Sequence, residues 1–232
     1  MSGAADGITS ALKGLFMSTD TTLEDVTPAE RRRRRVRDAI IDAAETIFAA
    51  DGESGISMRR LAEAIDYSPA AIYKYFDSKE ALFAEMRELF FERLIRRMDE
   101  AAEEGGPVHV LCERCGRAYI ETALEEPKHY LMAFSNWDKE NAPDENTYAF
   151  AAETNLKEMV VAGIERGVFR EMDPAVASKC VWASVHGLAI LLASMEEFPH
   201  GMPGSEHVTR DAVIDFQTNM IIRGLSAGTA PA

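Results

Sequence analysis

The chain has 232 residues, 47% of them hydrophobic and 28% charged, and its 39 acidic against 25 basic side chains give a formal net charge of −14. That length exceeds one minimal module and suits two helical domains, and the acidity excludes a protein that lays its whole surface along a polyanion. Three cysteines give no even disulfide framework and no stretch has the order of a signal peptide, so a reducing, cytoplasmic setting is expected. The charge-free apolar run 180–195 contains Ser184, His186 and Ser194 and falls short of the roughly 20 residues of a membrane helix. It predicts a buried helix and no membrane partner.

The distribution of charge says more than its sum. Residues 27–80 hold ten Lys or Arg against ten Asp or Glu, whereas residues 81–232 hold 14 against 25. Phosphate would repel the second part, so only the first can face nucleic acid.

Residues 1–27 lack sustained periodicity and read as a tail, within which Met17 is a second candidate initiator. After Pro28 come Arg31, Arg32, Arg33, Arg34 and Arg35, then Arg37. Positive charge at a helix start is unfavourable against the macrodipole, so the run suggests phosphate or minor-groove contact rather than a merely solvated face. Val36, Ile40, Ala44, Ile47 and Phe48 recur at steps of three and four, which predicts a helix ending near Asp51-Gly52. Ser57 can cap a second helix through Met58, Leu61, Ala62 and Ile65, with Arg59, Arg60 and Glu63 outward.

Asp66-Tyr67 forms a turn, and Ser68-Pro69 supplies an N-cap followed by proline at the first helical position. The third helix is expected to run to Phe76, with Ile72 and Phe76 inward and Ala70, Ala71, Tyr73, Lys74 and Tyr75 on the other sides. Ile72 and Phe76 leave room to bury at most one of the two tyrosines. Small residues and exposed tyrosines at such a tip suit close docking in a major groove, the grammar of a helix-turn-helix. Asp77 or Ser78 caps a long helix to about Glu104, roughly 40 Å at 1.5 Å per residue. Lys79 in its first turn is a natural phosphate clamp.

The run AIIDAAETIFAADG, the helix SMRRLAEAI and above all IYKYFDSKEALF resemble the DNA-binding domain of the TetR family of transcriptional regulators over about residues 36–83. Members usually carry glycine where this chain has Asp66, which implies a position that needs a left-handed backbone; aspartate is among the few other residues that tolerate it. The resemblance implies that Ser57 and Arg59 touch backbone or base, that Pro69, Ala70, Ala71, Tyr73, Lys74 and Tyr75 line the groove, and that Lys79 holds phosphate; Ser68 is also a candidate DNA-binding residue. Two alanines there leave readout to thymine methyls, tyrosine hydroxyls and DNA shape.

Beyond Gly105-Gly106-Pro107, Val108, Leu111, Cys112, Cys115 and Tyr119 give a fifth helix an apolar face as far as Glu126-Pro127. His109, Cys112 and Cys115 spell HxxCxxC, but both cysteines lie in the apolar stripe and no fourth ligand is near in sequence. Core packing is expected and no metal site, with a thiol sensor of electrophiles or oxidants as the sharper alternative. Residues 128–137 read as a short helix, 141–145 as a loop, and 146–166 as a helix with Tyr148, Ala152, Leu156, Met159, Val160 and Ile164 inward. Asp173-Pro174 starts a long helix that is apolar nearly all round, and a last helix over 208–225 repeats apolar residues at Val213, Phe216, Met220, Ile221 and Leu225. This pair suits a four-helix interface with a second copy. Trp182-x-x-x-His186-Gly187, preceded by GIERGVFREMDP, resembles the WHG-type ligand-binding domain of some TetR-family members over much of residues 105–225.

The expectation is an all-α chain of about nine helices: a tail (1–27), a three-helix helix-turn-helix domain (28–80), a larger helical ligand-binding and dimerisation domain (81–227) and a tail (228–232). The resemblance implies a homodimeric repressor released from a double-stranded operator by a small-molecule effector, without a cofactor. Candidate pocket residues are Cys115, Tyr119, Tyr130, Phe134, Trp137, Tyr148, Met159, Trp182 and His186. Neither a Ser-His-Asp order nor a phosphate loop supports an enzyme on the helical body. An architectural, nonspecific DNA binder is the remaining rival.

Overall fold

The computed structural model describes residues 27–103, 105–135, 145–201 and 203–228, which hold nine α-helices and no strand. The expected tails, apart from Thr27 and Gly228, lie outside the described residues, as do Trp137 and most of the loop at 141–145. The chain folds as two compact units, and the division falls within one helix, after Phe90.

The first unit holds α1 (Pro28–Asp51), a short 3-10 turn (Glu53–Gly55), α2 (Met58–Ala64), α3 (Pro69–Ile72) and the start of α4 (Lys79–Glu103). Thr27 caps α1: its hydroxyl accepts from the Glu30 N–H at 3.3 Å, and the Glu30 carboxylate accepts from the Thr27 N–H at 2.8 Å. This reciprocal pair, spelled T-x-x-E in the sequence, satisfies two orphan donors and puts one negative charge ahead of the arginines. From Val36 onward α1 turns Ile40, Ala44 and Phe48 into a core shared with Leu61, Ile72, Phe76, Leu82 and Met86. Residues 31–35 are all exposed, so the first turns of α1 overhang that core.

This unit also contains Lys128–Ser135, most of α6 (Pro127–Ala133), which the sequence placed with the larger domain. Lys128 Nζ donates to the carbonyls of Ala49 and Ala50, at 2.6 and 2.7 Å, and so caps the C-terminus of α1. His129 packs edge-on to Phe48 at 5.0 Å, and Met132 joins the core.

The second unit comprises the rest of α4, α5 (Val108–Glu125), α7 (Tyr148–Glu165), α8 (Pro174–Ser194) and α9 (Arg210–Leu225). Asp173 caps α8 and Thr209 caps α9 through their side chains. Val108, Leu111, Val160, Phe169 and Leu225 form one of its buried clusters, and Phe169 lies so close on Gly163 that a Cβ there would meet its ring at 2.1 Å. Arg117 ties α5 to α9 through Asp211, at 2.9 Å, and through Asp215.

α8 departs from the expectation of a fully buried helix. Its 21 residues are long and apolar enough to cross a membrane by length and composition alone, and only a third of its apolar window is buried. It packs on α5, α7 and α9. Val176, Trp182 and Leu191, with Met195 just beyond, stand exposed, as do Phe216 (74%) and Met220 (55%) on α9.

Candidate DNA-binding surface

The turn between α2 and α3 is built as the sequence implies. Asp66 adopts φ 56°, the left-handed conformation that favours glycine, and the next N–H, of Tyr67, donates to the Ala62 carbonyl at 2.8 Å. Ser68 then accepts from the Ala71 N–H at 3.3 Å and Pro69 opens α3. As an N-cap that hydroxyl acts as acceptor, which leaves its proton to donate to a phosphate oxygen. Ser57 serves α2 in the same way, accepting from Arg60 N at 3.2 Å.

α3 is shorter than expected. It closes at Ile72, and the chain passes to Phe76 through turns in which Lys74 N–H reaches Ala71 O and Tyr75 N–H reaches Ile72 O. Ile72 and Phe76 are buried as predicted, and the Phe76 N–H donates to the Ile72 carbonyl at 3.1 Å. Pro69, Ala70, Tyr73 and Lys74 are exposed, Tyr73 by 51%, whereas Tyr75 packs partly against the core. The side chain of Lys74 has no hydrogen bond or ion pair among the described residues.

Ser78 rather than Asp77 caps α4, accepting from the Ala81 N–H at 3.1 Å. Lys79 follows it, with Nζ 3.0 Å from the Glu53 carbonyl and 5.4 Å over the Phe83 ring. To hold a phosphate it must exchange that carbonyl for the anion. Arg59 pairs with Glu63 one turn on, at 3.4 Å, both well exposed, an interaction too weak to hold it from DNA. Arg60 is tied to Asp51 at 2.5 Å. Arg37, two residues after the arginine run, stacks 5.0 Å over Phe76 and pairs with Glu85, so the overhang of α1 is rooted beside the end of the reader. Tyr67, in the turn, is an exposed aromatic neighbour of this surface.

The candidate pocket residues are less convergent. Tyr119 OH lies 3.2 Å from His186 Nδ1, Trp182 stacks on His186 at 5.2 Å, and burial lowers the His186 pKa, which favours the neutral ring. Cys115 is buried on α5, while Tyr148 and Met159 lie on α7. Tyr130 and Phe134 belong to the first unit, their rings 4.9 Å apart. A groove of about 430 Å³ between α8 and α9, lined by Arg170, Met172, Val176, Cys180 and Met220 among others, contains none of them.

A capped, glycine-like turn feeding a short helix with an exposed tip, on an all-helical scaffold, defines a helix-turn-helix transcriptional regulator. Residues 40–86 match the family model for bacterial regulatory proteins of the tetR family, and residues 112–216 match that for the tetracyclin repressor-like C-terminal domain. The chain belongs to the TetR family. It is 25% identical to the regulator RutR of Escherichia coli over 81% of this chain and 89% of that protein. It is 36% identical to the repressor KstR of Mycolicibacterium smegmatis over 34% of this chain and 37% of that one. The TetR-family regulator PfmR of Thermus thermophilus has the same fold, with a TM-score of 0.56 and 25% identity over 81% of this chain and 98% of the other. These relatives are regulators, and the chain is a regulator rather than an enzyme.

Proposed function

We propose that this regulator is a cytoplasmic, nucleoid-associated homodimeric repressor whose two α3 tips enter successive major grooves of a pseudo-palindromic operator. The observation that carries the reading is the tip itself. Pro69 and Ala70 stand exposed on a helix fixed by the Asp66 turn and the Ser68 cap, and Tyr73 and Lys74 stand exposed just past its end. Ala71, Tyr73, Lys74 and Tyr75 read the groove with them. Ser57, Arg59, Ser68, Lys79 and the exposed Arg31–Arg35 hold phosphate.

The apolar faces of α8 and α9, with Phe216 and Met220 outward, join the two copies, because an isolated chain would leave them in water. A small-molecule effector in the body, contacting the Tyr119, Trp182 and His186 group, shifts the spacing of the tips through α4, which runs from one unit into the other. The rival thiol sensor of electrophiles is disfavoured: burial pushes both the Cys112 and Cys115 thiols up to about 12, and a protonated thiol is a poor nucleophile.

Sequencing the genomic DNA retained by the purified protein tests the proposal. Enrichment of one short palindrome, footprinted as a single block, is expected. Uniform coating of all fragments would instead make the protein architectural.

A further inference from the structure

The HxxCxxC string in α5 lacks a further ligand in sequence, and the fold supplies one from another helix. Met159 of α7, 47 residues on, places its Sδ 3.9 Å from Cys112 Sγ. Cys115 follows one turn later on α5, where residues three apart have Cβ atoms about 5–6 Å apart. We propose that Cys112, Cys115 and Met159 form a binding site for a soft monovalent metal ion, Cu(I).

Geometry and ligand chemistry agree. With metal–sulfur bonds of about 2.3 Å, as for zinc and thiolate, two sulfurs 3.9 Å apart subtend roughly 115° at a shared ion, close to trigonal. Cys115 supplies the third position by a rotamer change, its Sγ now lying 3.5 Å from the Met98 carbonyl. Two thiolates and a thioether make a donor set for Cu(I). Structural zinc wants four ligands from cysteine, histidine and carboxylate, and among the described residues no three such groups converge. Cys112 and Met159 are partly buried and pack against the cluster built on Val108, Leu111 and Val160, and Cys115 is buried. Cys180, the third cysteine, is exposed on α8 and is not part of the site.

Binding breaks two S–H bonds, sends two protons to solvent and forms two thiolate–copper bonds and one thioether–copper bond. The metal arrives and stays as Cu(I), so no electron is transferred. The charged groups that act on Cys115 are Asp99 of α4, which opposes thiolate formation, and Arg114 of α5, which favours it. The assembled centre carries one negative charge.

The inference does not rest on operator binding, because metal uptake is measured without DNA. The full-length protein is titrated anaerobically with Cu(I) against a chromophoric Cu(I) chelator. One ion retained per chain and two protons released per ion are expected, with Cys180→Ser unchanged. Met159→Leu should keep the helical circular dichroism and weaken retention by at least about tenfold, and Cys112→Ser and Cys115→Ser should abolish it. If either serine variant fails to fold, the wild-type stoichiometry and Met159→Leu decide. No retention by the wild-type protein, retention that disappears with Cys180→Ser, full retention by Met159→Leu, or zinc taken up in place of copper would each overturn the site.

Discussion

α3 and α8 both expose what a helix of their composition would ordinarily hide or avoid, and they do so for opposite partners. α3 is four residues long and buries Ile72 alone, and with the turn that follows it offers small residues, Tyr73 and Lys74 to water. α8 is 21 residues long and apolar nearly all round, yet Val176, Trp182 and Leu191 remain outside. The chemistry of the exposed atoms separates the partners: hydroxyl, ammonium and backbone groups suit a charged, hydrated groove, whereas exposed aliphatic and aromatic side chains gain most from a dry surface like themselves.

The largest effect is expected on the apolar side of that comparison. Phe216→Glu puts two charges into the proposed interface, one per copy, each costing about 2 kcal/mol. Self-association measured by sedimentation should then weaken on the order of a thousandfold. An unchanged dimer would place the interface elsewhere.

The next prediction concerns Asp99, whose carboxyl is partly buried with Oδ1 lacking a hydrogen-bond partner among the described residues. Desolvation, with Glu103 and Glu100 nearby, raises its pKa to about 7. The folded state therefore holds this proton more tightly than the unfolded one. Asp99's contribution to stability is full below about pH 4 and is lost as pH rises to about 7. Asp99→Asn should raise the melting temperature by a few degrees at pH 8 and leave it unchanged near pH 4. A gain of equal size at both pH values would exclude the carboxyl's titration as the cause.

On the reader side, Asp66→Gly relieves the left-handed strain at a cost in unfolded-chain entropy, and the balance should stabilise by up to about 1 kcal/mol in denaturant melts. A loss of stability would mean that the Asp66 side chain contributes more than its backbone costs. The smallest effect is Lys79→Ala. It should lower affinity for every DNA sequence and reduce the slope of log affinity against log salt by roughly one phosphate contact. An unchanged slope would remove Lys79 from the phosphate-binding set.

The two regions also differ in how much of them can be read from residues alone. Caps and turns are written within four positions, so Ser57, Asp66, Ser68-Pro69 and Asp173-Pro174 are legible, and the Thr27–Glu30 box is written just as locally. Contacts set by how helices pack are not written locally. Nothing near Lys128 says that it caps a helix ending 77 residues earlier. Nor does anything near Cys112 point to Met159. The end of α3 at Ile72 falls between these cases: spacing puts Ile72 and Phe76 on one face, and both are buried, but that spacing does not say where the helix stops. Aromatic and sulfur-bearing side chains at helical spacing mark a core as readily as a cavity, and Tyr130 is fully buried.

The central claim is that the exposed tip of α3 reads sequence. Affinities of the wild-type chain and of Tyr73→Ala for the selected operator and for random DNA test it most directly. Loss of Tyr73 should cost about 1–3 kcal/mol on the operator and little on random DNA, collapsing the ratio between them. An equal loss on both would contradict the assignment of α3 as the reader.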